Sequence, residues 1–403
     1  MAASSNGVAV VGGSVAGLRA LAELRAAGFA GTITLIDREA AAPYDRPPLS
    51  KQVLLGAWPP AKASLGDPRT EWGAEIVEQH AIALDTDSRE IVLESDERVA
   101  YDSLIIATGA TPRTIGDCRL EGVHVLRTMA DCLAIRESLD RGGPLVVVGG
   151  GFIGAEVASA ARASGVDVTL VEALHAPMAR ALGNEMGGRL RSLHEGNGTR
   201  VICGVAVDGF AGDTRVTGVH LDTGETLAAD SVVVGVGVVP NTAWLENSKL
   251  TVDNGILCDQ YCAAEGADDV FAIGDVARWY DSRRDRHVRV EHWTNATEQA
   301  NTAAHNIINP GSRRAHHALP YFWSDQYGAK IQLIGHCEPA ADVTVLQSSG
   351  DKPRTAAVYH YGDDLRAAVM INWPRALGMV RSALQERAPA GSVIDKLRGL
   401  IEG

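Results

Sequence analysis

The chain has 403 residues, 46% apolar and 22% charged, with a net charge of −13. That length implies two or three domains, the composition excludes a disordered chain, and the negative balance argues against a general nucleic-acid or membrane-surface binder. The six cysteines are too few for a disulfide scaffold, no long uncharged apolar run is present, and the opening MAASSNG lacks the basic and apolar parts of a secretory leader, so a cytoplasmic protein without a membrane span is expected.

In chain order, the first predicted element is a strand over Val8–Val11. It runs into the turn Gly12-Gly13-Ser14-Val15-Ala16-Gly17, a helix over LRALAELRAAG, and a strand, Thr32–Ile36, that ends on Asp37. The same plan recurs 137 residues later: Leu145–Val148, then Gly149-Gly150-Gly151-Phe152-Ile153-Gly154, the helix AEVASAARASG, and Val168–Val171 ending on Glu172. The carboxylate follows the last glycine by 20 residues in the first copy and by 18 in the second.

This spacing matches a dinucleotide-binding βαβ unit. The first glycine allows the tight turn, the middle one lets the backbone approach a pyrophosphate, and the third lets helix pack on strand. The phosphates rest on the helix N-terminus, and the acid accepts from the adenosine ribose. Ser14 stands in the middle glycine position of the first copy, a departure from the pattern. Two such units point to two dinucleotides, and the simplest chemistry joining them is hydride transfer from a nicotinamide to a flavin.

The remaining landmarks follow in order. Pro43-Tyr44-Asp45-Arg46-Pro47-Pro48-Leu49-Ser50-Lys51 is a proline-stiffened loop that delivers two cations. Two strand-turns match each other, one ending at Ala107-Thr108-Gly109, the other at Gly235-Val236-Gly237. Val270–Ile273 ends on Gly274-Asp275, at the strand edge where α/β sheets place ligand contacts, although Asp275 read alone serves equally as a helix cap. Lys51 has the alternative of a surface lysine, though the prolines around it argue for a fixed placement; Glu156 serves equally as a helix-dipole partner, and core packing is the alternative for Trp293 and Trp323.

Taken together, PYDRPPLSK (43–51), ATGATPR (107–113), GGGFIGAE (149–156), VFAIGDVA (270–277), EHWTNA (291–296) and PYFWSDQ (320–326) resemble the FAD-dependent, NADH-using ferredoxin reductases that serve bacterial oxygenases. The resemblance covers essentially the whole chain. It implies an α/β fold with two Rossmann-like domains, an FAD domain split by an inserted NAD domain, plus an α+β C-terminal domain. The boundaries it suggests are 1–112 and 241–319 for FAD, 113–240 for NAD, and 320–403 for the C-terminal domain.

The same resemblance implies site residues. FAD would be held by Gly12, Gly13, Ser14, Val15, Ala16, Gly17, Asp37, Arg38, Arg46, Lys51, Ala107, Thr108, Gly109, Arg127, Gly274, Asp275, Glu291, His292, Trp293 and Trp323, with the two tryptophans beside the isoalloxazine. NADH would be held by Gly149, Gly151, Phe152, Ile153, Gly154, Glu156, Glu172 and Gly237. Lys51 and Glu156 would act together at the hydride-transfer step. The acceptor would be an iron–sulfur ferredoxin feeding a cytochrome or Rieske-type oxygenase. Glu172 disfavours a 2′-phosphate, and no arginine follows it in Ala173-Leu174-His175, so NADH is expected over NADPH.

No cysteine precedes Cys118, which argues against a thiol-based NADH peroxidase or disulfide reductase. Cys118, Cys132, Cys203 and Cys337 read as packing residues, and Cys258 with Cys262 lacks partners at zinc spacing, so no metal site is expected. His316-His317 beside Arg313-Arg314 reads as a solvated polar loop. Arg278, Arg283, Arg284, Arg286 and Arg289 form a basic segment that could dock an acidic ferredoxin or simply be a solvated face. Two alternatives remain: an NADH oxidase or peroxidase of the same fold, and an NADH-sensing flavoprotein resembling apoptosis-inducing factor.

Overall fold

The computed structural model describes residues 7–39, 43–116, 119–317, 319–338, 340–349 and 353–402, so Cys118 lies outside the described residues. The chain forms two compact units. One comprises Met1–Asp45, Ala63–Thr111 and Val238–Ala318; the other comprises Arg46–Lys62, Pro112–Gly237 and Leu319–Gly403.

The first unit is built on a parallel five-stranded sheet in the order Val270–Ala272, Ser103–Ile106, Gly7–Val11, Thr32–Ile36, Glu75–Val77. Gly7–Val11 is the middle strand and is apolar almost throughout, as a strand covered on both faces must be. The helices Val15–Ala26 and Trp293–Ile308 share a core on this sheet, where Ala16, Ala20, Ala296, Ala300 and Ala303 let the backbones come close. A second core includes Ile91 and Leu93 from an antiparallel meander, Ala81–Ala100, together with Trp279.

The second unit repeats the plan. Its parallel sheet runs Arg200–Cys203, Val168–Glu172, Leu145–Val148, Ser231–Val234, Val123–His124. The helix Phe152–Ala163 buries Ala155, Val157, Ala158, Ala160 and Ala161. A three-stranded meander, Val207–Ala228, again precedes the strand that returns to the sheet. The internal repeat therefore extends well past the glycine turns, into segments whose sequences carry no visible match.

The same unit contains an antiparallel sheet ordered Tyr321–Gln326, Ala329–Gly335, Asp364–Ile371, Thr355–Tyr361, Asp342–Gln347. Helices Pro374–Glu386 and Ala390–Glu402 share one core with it, and Ala179–Gly196 shares another, in which Tyr359 Oη donates to Leu182 O at 2.6 Å. The expected α/β class with two Rossmann-like sheets and an α+β C-terminal part is what the chain adopts. Among the described residues, no helix is long and apolar enough to cross a membrane.

Candidate functional site: two glycine turns and a buried ion pair

Both repeats make the same turn. Gly12 and Gly149 have φ of +109° and +98°, a region that side chains rarely adopt. A Cβ at Gly17 would lie 1.9 Å from Gly12 O, and one at Gly154 would lie 2.0 Å from Gly149 O, so the third glycine is needed for the helix to close on the turn. The middle position is different: a Cβ at Gly151 meets nothing nearer than Gly235 O at 4.0 Å. That space explains why the first copy tolerates Ser14.

The acid at the end of the second strand reaches back over the turn. A Cβ at Gly13 would stand 2.2 Å from Asp37 Oδ2, and one at Gly150 would stand 3.1 Å from Glu172 Oε2. Glu172 Oε2 accepts from Gly150 N at 2.6 Å, and its Oε1 from Leu174 N at 2.8 Å, which fixes the carboxylate before any ribose arrives. Gly150 was missed by the sequence reading, although it pairs with Gly13.

The helix starts are open to an anion. Ser14 and Gly151 are the N-caps, both extended, and neither side chain caps its helix. By contrast, Thr128 and Asp131 close a full capping box on the helix Met129–Arg141. Uncapped N–H groups above glycines that leave no room for side chains fit the pyrophosphates of two dinucleotides.

In the first unit, Thr108 and Asn241 are clasped by Asn241 Nδ2–H to Thr108 O (2.8 Å) and Thr108 Oγ1–H to Asn241 O (3.0 Å), next to Ala107. Gly274, at φ +73°, donates its N–H to buried Gln299 at 2.7 Å, and its missing Cβ would sit 3.1 Å from Ala16. Asp275 follows in the short helix Gly274–Val276, within its first turn rather than at its cap. Arg289 reaches Asp275 O at 3.2 Å and pairs with Glu291 at 2.6 Å. His292 stands at the N-cap position of Trp293–Ile308 without a side-chain cap bond, and burial pushes it down to about 4. Trp293 is exposed, and its indole donates to Asp45 at 3.0 Å. Arg38 is exposed beyond Asp37.

In the second unit, Glu156 is 4% exposed, one turn into the helix Phe152–Ala163. Its Oε2 accepts from Lys51 Nζ at 2.6 Å and from Ser50 Oγ at 2.5 Å, and its Oε1 from Ser324 Oγ at 2.6 Å. Lys51 is fixed by the 3₁₀ turn Pro47–Ser50, whose prolines set the backbone. Ser50 and Ser324 were not anticipated; a serine in a loop or strand carries no sequence signal of this role. Phe152 packs on Phe322 with ring centres 3.6 Å apart, while Ile153 beside it is exposed. Trp323 is half-buried and stacks on Tyr321. Arg46 and Arg127 are half-buried, and Arg127 N donates to Asp131 at 3.0 Å. Gly237, at φ +102°, accepts from Arg113 N at 2.9 Å.

One surface expectation is overturned. Arg313, Arg314 and His317 are exposed as expected, but His316 is not: it is 3% exposed, lies edge-on to Trp279, and contacts Asn295 and Thr302. The reason is that Trp279 and the helix Trp293–Ile308 provide a slot for the ring. In the basic segment, Arg278 pairs with Asp253, Arg284 with Asp281 and Arg289 with Glu291, so much of its charge is met locally. Cys258 and Cys262 are fully buried, and burial pushes both thiols far up, so neither is a ready thiolate. Among the described residues, no cluster of His, Cys, Asp and Glu is arranged to hold a metal.

Residues 6–300 match the family described as pyridine nucleotide-disulphide oxidoreductase, and 321–395 match the reductase C-terminal family. The chain is 36% identical to rhodocoxin reductase of Rhodococcus erythropolis, covering 95% of this chain and 90% of that protein. It is 34% identical to the ferredoxin reductase component of chlorobenzene dioxygenase from Cupriavidus sp. (strain PS12), covering 94% and 93%. Among solved structures, the reductase in the covalent putidaredoxin reductase–putidaredoxin complex is 30% identical with a TM-score of 0.89, over 95% of this chain and 94% of that one. With both nucleotide turns formed, the chain belongs to the pyridine nucleotide-disulphide oxidoreductase family and is an FAD-dependent oxidoreductase that uses NAD(H).

Proposed function

We propose that this protein carries electrons from NADH through FAD to an iron–sulfur ferredoxin, which supplies a cytochrome or Rieske-type oxygenase. The observation that carries this reading is end-to-end similarity to reductases named for such systems, down to a C-terminal part that matches its own reductase family. When bound, FAD accepts a hydride and gives up its electrons one at a time, as an iron–sulfur acceptor requires.

The chain's residues supply binding, orientation and charge. FAD is assigned to the first repeat, in 1–112 and 241–319, with Asp37 on the ribose and the uncapped helix start at Ser14 on the pyrophosphate. NADH is assigned to the second repeat, in 113–240, with Glu172 on the ribose. Glu156 and Lys51 present a desolvated carboxylate–ammonium pair beside Phe152, which orients the nicotinamide. Residues 320–403 add Ser324 to that pair. The absence of a thiol before Cys118 and the burial of Cys258 and Cys262 favour this reading over an NADH peroxidase. A cytoplasmic location is part of the proposal.

The test is NADH-driven reduction of a two-iron ferredoxin, followed by its absorbance. Rapid reduction that slows as salt rises is expected if docking is electrostatic. Equal rates from low to high salt would remove the electrostatic part. Failure with every ferredoxin while NADH still bleaches the flavin would remove the acceptor assignment.

A further inference from the structure

Glu156 is the last member of a buried polar chain. Ser324 Oγ lies 2.6 Å from Glu156 Oε1 and 3.1 Å from Gln326 Nε2. At the far end, His194 Nδ1 and Thr199 Oγ1 each lie 2.8 Å from Tyr327 Oη. Between these ends, His194 Nε2 and Gln326 Oε1 are both buried and have no hydrogen-bond partner among the described residues. The nearby Gln326 side chain raises the proton affinity of the His194 ring, against the larger effect of burial, as an acceptor facing it does. Ser324, Gln326 and His194 are each fully buried.

The fold enforces this arrangement. Ser324 and Gln326 are alternate residues of the strand Tyr321–Gln326, so both point to one face. The strand turns back through Tyr327 and Gly328, with φ of +51° and +74°, a two-residue hairpin in which a tyrosine is unusual. Ser159 accepts the Tyr327 N–H at 2.7 Å and holds the phenol toward His194.

The chain has one permitted direction. An ionised carboxylate only accepts, so the single Ser324 hydroxyl proton goes to Glu156. Ser324 must then accept from the Gln326 NH₂, which leaves Gln326 Oε1 to accept from His194 Nε2–H. With its proton on Nε2, the neutral ring accepts at Nδ1 from Tyr327, and Tyr327 accepts from Thr199. Reversing the Gln326 amide or the His194 tautomer would send the Ser324 proton away from Glu156.

We propose that Ser324, with Gln326 and His194 behind it, is a positioning residue for hydride transfer: the chain delivers one oriented O–H to Glu156 Oε1 and so fixes the carboxylate that anchors Lys51. The inference rests on the reading that Glu156 orients the nicotinamide. Burial keeps His194 neutral, pushed down to about 4, which the one-way chain requires.

The first test needs no turnover. In holoprotein labelled with ¹⁵N in the imidazoles, the His194 signal, assigned by its loss in His194→Gln, is expected to be the neutral Nε2–H tautomer. An Nδ1–H tautomer would overturn the proposal, because the chain would then point away from Glu156. The second test is flavin reduction by stopped flow. Ser324→Ala is expected to slow hydride transfer roughly tenfold at saturating NADH with its Kd nearly unchanged, and Ser324→Thr to restore most of the rate. In a Glu156→Gln background, Ser324→Ala should add little, since it acts through that carboxylate. A full rate in Ser324→Ala, or additive losses in the double variant, would overturn the positioning role. If Glu156→Gln alone left hydride transfer unchanged, the reading of Glu156 would fail and the positioning role with it; the Nε2–H tautomer would then mark a structural chain only.

Discussion

At Gly13, a methyl group would stand 2.2 Å from Asp37 Oδ2, inside any tolerable contact. Gly13→Ala must therefore push Asp37 off its station over the turn. The expected outcome is a folded protein that loses FAD, read as a falling flavin-to-protein absorbance ratio on dialysis; full retention would show that Asp37 does not hold the cofactor. Lys51 makes a different argument. Among the described residues it is the cation paired with buried Glu156, so Lys51→Met leaves that carboxylate desolvated and held by two serines. Removing one partner of a buried pair costs about 3–5 kcal/mol, and the partial exposure of Lys51 sets the expectation near the lower end. Urea unfolding measures it. The two charged residues were legible because each lies in a distinctive motif, GGGFIGAE or PYDRPPLSK. Ser50, Ser324 and Gln326 were not, since a lone hydroxyl or amide acquires its role only from what folding places opposite it.

At the scale of elements, the strand–turn–helix–strand repeat was fully readable, because backbone geometry restricts which residues can stand at each turn position. The meanders Ala81–Ala100 and Val207–Ala228 were not, because short antiparallel strands with mixed faces carry weak periodicity. His316 was misjudged for a similar reason: a polar pair between a helix and a strand gives no sign of a slot formed by Trp279, 37 residues earlier. The second repeat makes a specificity prediction. Glu172 is held over the turn by two backbone N–H groups, where the proposal puts the ribose. Wild-type kcat/KM is expected to favour NADH strongly, and Glu172→Ala to shrink the NADH:NADPH ratio at least roughly tenfold, with some loss for both because the turn loses its tether. Equal or better use of NADPH by the wild type would contradict the assignment.

At the scale of the whole molecule, two histidines sit in buried cores, and His292 at a helix start is pushed down in the same way. Burial pushes His194 and His316 down to about 4, against an ordinary value of 6.5. The folded state therefore binds fewer protons than the unfolded chain in that window, so the stability is present above pH 6.5 and is lost as pH falls toward 4. At pH 5 each histidine costs about 2 kcal/mol, and calorimetry should show Tm dropping between pH 7 and pH 5, less so in His316→Gln if that variant packs as well. A flat Tm over that range would mean that the rings are solvated or charged in the fold.

The two nucleotide turns, the buried Lys51–Glu156 pair and the lack of a cysteine before Cys118 converge on one claim, that a hydride from NADH leaves as single electrons to a ferredoxin. Stopped-flow mixing of the flavin-loaded protein with NADH, followed by a two-iron ferredoxin, tests it most directly. The expected result is loss of the oxidised flavin band within milliseconds, then rapid ferredoxin reduction with little oxygen consumed. Fast bleaching with oxygen as the only effective acceptor would contradict it and make the protein an oxidase.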